Sequence, residues 1–419
     1  MNPLLLAFLA VFLLRSGIQV FLNRLNISYL RQHGAIIPEL FQDSVDREKL
    51  GKISAYAVDS ENFSLLANLA GHALSLAILF SGLLPDLVKM NRQLGKGPIL
   101  EGLVFFAVLA ILAGLLRIPF SLYENFVIEE RYGFNTRTLR VWITDLFKSI
   151  AISAVLGGVL LLGLLALVVH GGNAWWIWAW ILAGGVEFLM LWLFPLVIAP
   201  LFNKFEPIED RILENRIKDL MERVGLRVKG VFRMDASKRS RHTNAYFTGI
   251  GRSKRIVLFD TLLTSHSEGE VLAVLAHEVG HWEKKHVAKE LIFMESLSLV
   301  FLFAVAELLR WPLVYQTFGF QEPILYVGIL LTGALLSPLG YFLQPLFSSI
   351  SRKFEREADD FCVKLMHTAE PMGSALKRLA ADNLANLTPH PLYSWFYYSH
   401  PPLVERISRL RRIQEKENG

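Results

Sequence analysis

The stretch VLAVLAHEVGHWEKKH, residues 271–286, decides how the rest of the chain is read. Its apolar opening follows Ser267 with Glu270 three positions on, the spacing of a capping box, so a helix is expected from about Ser267 whatever the histidines do. His277 and His281 stand four residues apart, about 40° around a helical axis, and can reach one cation together, with Glu278 beside them. This H-E-x-x-H arrangement suits metal-assisted hydrolysis. Two neutral imidazoles hold one Zn²⁺ ion, and the carboxylate takes the proton of an attacking water.

A catalytic zinc takes three protein ligands and keeps one position open, so a third donor must come from elsewhere in the chain. The segment SRKFEREADDF, residues 351–361, offers Glu355 and, four positions on and on the same helical face, Asp359. Glu355 is expected as the ligand. Asp359 is placed to accept the other ring N–H of His277, which fixes the tautomer of a metal-bound imidazole. Helix phase turns Glu357 elsewhere. The bland alternative is a solvated charged helix in which Glu355 pairs with Arg352 or Arg356.

Outward from these segments the chain is apolar: 53% of its 419 residues are hydrophobic and only 19% charged, which excludes an ordinary soluble globular protein. Runs long enough to cross a bilayer lie at about 3–22, 63–88, 99–118, 149–170, 174–201, 290–315 and 323–347. The first lacks a basic leader and a small-residue cleavage site, so it reads as a retained span interrupted by Arg15. The expected fold is mainly α, a polytopic membrane protein of about seven transmembrane helices with a small α+β metalloprotease portion packed on the bundle. The lipid bilayer is therefore a partner; a net charge of +5 gives no sign of nucleic-acid binding. Basic loops fall mostly on one side, which places the catalytic side in the cytoplasm by the positive-inside rule, against mild opposition from Lys89, Arg92 and Lys96. Trp175, Trp176, Trp178 and Trp180 suit an outer-interface belt or lipid-facing bulk equally.

Between the fifth and sixth runs, VKGVFRMD (228–235), NAYFTGI (244–250) and RIVLFD (255–260) read as strands, the last two joined by a hairpin at 251–254. The expected organisation is a membrane region over 1–201, a catalytic insertion over 202–289, spans six and seven in 290–347, and C-terminal helices over 348–419 that complete the metal site. Two crossings separate His281 from Glu355. An even number returns the chain to the same face, so the donors can meet. Cys362, the single cysteine, excludes a disulfide framework and reads as a buried thiol. Glu101, Glu187, Glu295 and Glu307 fall in or near apolar runs and should face one another, a basic partner or an internal water-filled space; Glu101 and Glu307 fit span ends equally well.

Six segments together resemble the type I CAAX prenyl proteases, a family of integral-membrane zinc metalloproteases: FVIEERYGFNTRT (126–138), IAPLFNKFEP (198–207), HTNAYFTG (242–249), LAHEVGHWEKKH (275–286), SRKFEREADDF (351–361) and YSHPPLVERI (398–407). The resemblance implies a gluzincin-like site with one zinc per chain on His277, His281 and Glu355, and Glu278 as general base. It implies that His400 is a transition-state histidine and Arg406 its partner near the substrate, both holding the oxyanion. It also implies that Asn244, Ala245, Tyr246, Phe247, Thr248 and Gly249 form the strand against which an extended peptide is laid, while the bland alternative is an ordinary hairpin strand. His286 and Trp282 match the pattern as packing or supporting residues. The implied reaction removes the last three residues of a prenylated CAAX protein or peptide.

Other readings stay open on the residues alone. A broad membrane-protein quality-control protease would use the same site without a prenyl group, and a transporter or channel would make the H-E-x-x-H incidental. An inactive scaffold would bind lipidated peptides without turnover. A bacterial inner membrane and the endoplasmic reticulum fit equally as host membranes, and monomer and oligomer fit equally as well.

Overall fold

The structure is a computed structural model that describes residues 2–93, 95–248 and 253–418. Two long helices open the chain, α1 (Pro3–His33), capped by Asn2, and α2 (Arg47–Phe80), capped by Asp46. At 1.5 Å per residue they run to about 46 and 51 Å, well past a hydrocarbon core of about 30 Å, so each stands out into water. The second apolar run is not one element. Gly82, at φ +85°, turns the chain after Phe80 into a short amphipathic helix α3 (Leu83–Arg92), which buries Leu84, Leu87 and Val88.

Three more long helices follow: α4 (Pro98–Tyr132), α5 (Leu139–His170) and α6 (Gly172–Phe202), with π-helical turns at 124–129 and 194–198. A water-facing layer comes next: β1 (Phe205–Pro207), α7 (Arg211–Glu222), β2 (Arg227–Met234), β3 (Ala245–Thr248), β4 (Ser253–Phe259), α8 (Asp260–Ser265) and the H-E-x-x-H helix α9 (Glu268–Glu283). The sixth long helix is α10 (His286–Leu309). Pro312 then starts a separate helix α11 (Pro312–Thr317), which ends the sixth run earlier than its composition suggests. The seventh run breaks as well. Helix α12 (Leu325–Tyr341) gives way, through a 54° bend, to α13 (Gln344–Met366), the helix of Glu355. The chain closes with α14 (Glu370–Asp382), α15 (Pro391–Tyr397) and α16 (Leu403–Asn418).

Among the described residues, six helices are long and apolar enough to cross a membrane, and the bent pair α12–α13 makes a seventh. The four-stranded sheet has the order β1-β2-β4-β3. β2 and β4 are parallel, the two outer pairs antiparallel, and β3 is an edge strand. The 244–250 and 255–260 segments pair as expected over the described residues, with Ala245 opposite Leu258 and Thr248 opposite Arg255; the first two residues of the expected turn, 251 and 252, lie outside the described residues, and the last two, Ser253 and Lys254, belong to β4. β1 had no signal in the sequence, being three residues that pair only through β2.

Two cores form at opposite ends of the bundle. One joins the start of α1 and the end of α2 to α3, α4 and α12 through Phe8, Phe12, Leu84, Phe105 and Val327. The other is the core of the catalytic layer, where Ile217, Ile256, Leu258, Val271 and Val279 pack with Leu50 and Ile53 of α2 and Ile128 and Tyr132 of α4. The membrane helices therefore supply part of the catalytic layer's own interior.

Candidate metal centre

Helix α9 is fixed at both ends before its histidines do anything. Ser267 and Glu270 form the full capping box, and the buried Glu270 also bonds to Ser374 and Arg378 of α14. Burial disfavours the Glu270 carboxylate, but the bonds from Ser374, Ser267 and Arg378 outweigh that and hold its pKa below the ordinary value. Near the other end, Gly280 lets α13 approach: a Cβ at this position would lie 2.9 Å from Ala358 Cα and 3.0 Å from its carbonyl oxygen. Cys362 is fully buried and donates to Ala273 O at 3.3 Å, a second tie between the two helices.

This approach brings His277, His281 and Glu355 together. The two Nε2 atoms are 3.2 Å apart, His277 Nε2 lies 3.4 Å from Glu355 Oε2, and His281 Nε2 lies 3.2 Å from Glu355 Oε1. Ligands at about 2.0–2.1 Å from a tetrahedral ion stand about 3.3 Å from one another, so the two imidazoles have the spacing of two corners around one cation, and each Glu355 oxygen lies at that spacing from one of them. Glu355 Oε2 is buried and, beyond its ion pair with Arg406 at 3.2 Å, makes no hydrogen bond to a described residue. The donor set fits a single divalent ion.

Around these three atoms lies a ring of supporting side chains. Asp359 Oδ1 is 2.9 Å from His277 Nδ1, and Arg406 bonds both Asp359 oxygens at 2.7 Å. Arg406 also lies 3.2 Å from Glu355 Oε2 and is only 6% exposed. The guanidinium thus lies between two carboxylates and within about 3.2 Å of both ring nitrogens of His277. His400 is open: its side chain is 62% exposed, Ser399 bonds its Nδ1 at 2.9 Å, and its Nε2 is 3.3 Å from Glu355 Oε1. Among the described residues the Glu278 side chain makes no hydrogen bond or salt bridge, and burial raises its pKa above the usual carboxylate value. Arg352 and Arg356 do not pair with Glu355: the first bonds the carbonyls of Trp395 and Tyr398, the second Glu405.

Glu357 is the residue that helix phase undervalued. It points away from the three donors, as expected, yet its Oε2 meets His286 Nε2 at 3.0 Å, and His286 Nδ1 lies 3.1 Å from His281 Nδ1. Phe354 stacks on the same ring at 4.1 Å. Each imidazole of the motif therefore has an acidic residue behind it, Asp359 directly and Glu357 through His286.

The expected peptide strand lies beside α9. Asn244 precedes β3 and is exposed, Ala245 is buried in the core, and Tyr246, Phe247 and Thr248 are half-buried; Gly249 lies outside the described residues. Just before it, His242 stacks on Phe134 at 4.0 Å and bonds Glu129 at 3.2 Å and Asn383 at 3.1 Å. Burial opposes the charged ring, but the bonds to Glu129 and Asn383 outweigh it and raise the His242 pKa. The signal for this contact was present in the FVIEERYGFNTRT and HTNAYFTG segments, but nothing in either showed that they touch.

Two profiles of known families cover most of the chain: residues 26–204 match the CAAX prenyl protease N-terminal region, with its five membrane helices, and residues 207–414 match peptidase family M48. The chain belongs to the CAAX prenyl protease family of M48 peptidases. Among its M48 relatives, CAAX prenyl protease 1 of Saccharomyces cerevisiae is 34% identical, over 91% of this chain and 90% of the yeast protein. The CAAX prenyl protease 1 homolog of Homo sapiens is 32% identical, over 90% and 89%. The crystal structure of S. mikatae Ste24p superposes with a TM-score of 0.90 at 33% identity, covering 98% of this chain and 99% of that one. This M48 member is an integral, multi-pass membrane metallopeptidase.

The intramembrane carboxylates divide into two groups. Glu187 and Glu295 line one recess of about 360 Å³ with Trp180, whose Nε1 donates to Glu295 O. Glu307 pairs with Arg310 at the exposed end of α10, and Glu101 lies in the first turn of α4; both fit the span-end reading.

Proposed function

We propose that the chain is a zinc endopeptidase that removes the C-terminal tripeptide of CAAX proteins, with His277, His281 and Glu355 as ligands. The observation that carries this is the convergence of His277, His281 and Glu355, one ligand atom of each within 4.8 Å of the others and the two Nε2 atoms 3.2 Å apart. The relatives' names support the substrate class. Zinc held there supplies Lewis acidity, which polarises a peptide carbonyl and lowers the pKa of a water toward about 7.

The chain's own groups do the rest. Glu278, free of other partners and with its pKa raised, takes the proton of the attacking water and passes it to the departing amine. His400 faces the open side and donates to the oxygen on which negative charge develops. Arg406 and Asp359 hold His277 and Glu355 in orientation. β3 offers an unpaired strand edge to an extended peptide, reading backbone more than side chains, with Asn244 to Gly249 as the segment in contact. The positive-inside rule supports a cytoplasmic position for this layer.

The test is zinc content together with cleavage of a farnesylated CAAX peptide and its unprenylated twin, comparing the natural chain with Glu278→Gln. One bound zinc, with cleavage that Glu278→Gln abolishes, is expected. Equal rates on the two peptides would replace the prenyl-dependent reading with general membrane-protein processing, and a chelated protein of full activity would end both.

A further inference from the structure

Away from the metal centre, five separate segments line an open cavity of about 530 Å³: the start of α2, the turn after α4, residues 241–243, α8, and the end of α14. Three cations line it, Lys49, Lys52 and Arg241, against one carboxylate, Asp382. Among the described residues none of the three cations has a carboxylate in salt-bridge contact, although this layer pairs most of its other arginines. Lys52 is drawn over the cavity's floor. Its Nζ lies 3.9 Å from where a Cβ of Gly133 would be, and Gly133, at φ +82°, presents bare backbone there.

The cavity's polar atoms of the opposite sense are acceptors. Thr261 already donates its hydroxyl proton to His242 O and Thr264 donates to Thr261 O, both at 2.9 Å, so toward a ligand each has lone pairs to offer. Asp382 keeps a buried Oδ2 that no described residue bonds. A simple anion would satisfy the cations and leave those acceptors facing it. A ligand that carries negative charge and hydroxyl donors together satisfies both sets.

We infer that this cavity binds a phosphorylated polyol, its phosphate held by Lys49, Lys52 and Arg241 and its hydroxyls by Asp382 and the α8 threonines. The source is either a lipid headgroup or a soluble phosphate ester. Lys52 stands about 16 Å of helix before the apolar run at residue 63, within the water-facing extension of α2, where a large headgroup or a free ester can reach. Arg241 is three residues before Asn244, so an occupied cavity also tethers the entry to β3.

The test uses the full chain in detergent, titrated calorimetrically with inorganic phosphate and with inositol trisphosphate. Saturable binding is expected, tighter for the inositol ester. Lys52→Ala and Arg241→Ala should each weaken it about tenfold. Asp382→Asn should erase the preference for the ester over inorganic phosphate. Arg241→Ala spares the backbone bond from Arg241 N–H to Phe134 O, and an unchanged melting temperature and zinc content verify the fold of each variant. In vesicles of phosphatidylcholine with and without phosphatidylinositol bisphosphate, a stabilisation by the second lipid that Arg241→Ala removes assigns the lipid source; its absence alongside calorimetric binding assigns the soluble ester. No saturable binding of either probe, or binding that Lys52→Ala/Arg241→Ala leaves intact, overturns the proposal.

Discussion

Gly280 faces the backbone of Ala358 so closely that a single added methyl would stand 2.9 Å from Ala358 Cα. Because His277 and His281 flank this contact on α9, and Glu355 and Asp359 flank it on α13, one glycine sets the distance between both pairs.

Gly280→Ala should therefore act on metal binding before it acts on folding. Forcing the helices apart costs about 1–3 kcal/mol as an overpacked core does, and it widens every donor separation at once. The expected result is a zinc affinity reduced by at least tenfold with a melting temperature lowered by a few degrees. Full zinc stoichiometry at nanomolar free metal in this variant would show that the close approach does not govern the site.

Arg406 and Asp359 form a buried ion pair, 7% and 1% exposed at their side chains. Removing one partner leaves the other charge without compensation, at about 3–5 kcal/mol. Arg406→Met should be strongly destabilising, and Arg406→Met/Asp359→Asn should recover part of that stability. Zinc affinity, in contrast, should stay 10–100-fold low in the double variant, since the acceptor behind His277 has lost its negative charge. Chemical denaturation and a competitive chelator titration separate the two effects.

The second support, through His286 to Glu357, gives a milder expectation. Glu357→Gln keeps a hydrogen bond to His286 but not the charge, so zinc affinity should fall by a smaller factor than in Asp359→Asn. Equal losses would mean that the two histidines depend on their acidic neighbours to the same degree.

Glu278→Gln and His400→Ala should leave the metal in place and remove turnover. General-base loss is worth 10²–10⁴-fold and an oxyanion donor about 10²–10³-fold in kcat. A change confined to KM would assign His400 to substrate binding instead.

Glu270 links stability to pH. Its folded pKa lies below the unfolded value, so its contribution is fully present above the unfolded pKa of about 4.3 and disappears as pH falls through the lower, folded one. Melting curves of the natural chain should drop in that acid window. Glu270→Gln should start lower at neutral pH and lose less on acidification; parallel curves would remove Glu270 from the linkage.

The convergence of His277, His281 and Glu355 was legible because it rests on local rules. A capping box, a four-residue histidine spacing and a four-residue carboxylate spacing each survive translation into helices, and an even number of crossings lets them meet. What escaped was long-range. Nothing in SRKFEREADDF says that Glu357 will find a histidine 71 residues earlier. Nor does the sequence around Arg406 reveal that its guanidinium points inward to Asp359, because motif position gives the neighbourhood and packing gives the direction. The apolar runs marked the membrane helices but misplaced their ends, since composition follows lipid contact while α1 and α2 continue as helices into water.

That continuation makes the membrane helices part of the peptidase interior. Leu50, Ile53, Ile128 and Tyr132 are inserted into the peptidase interior by rods anchored in lipid. A thinner or thicker bilayer that changes their tilt must also shift these four wedges. A water-soluble fragment cut free of these helices would therefore lack part of its own interior.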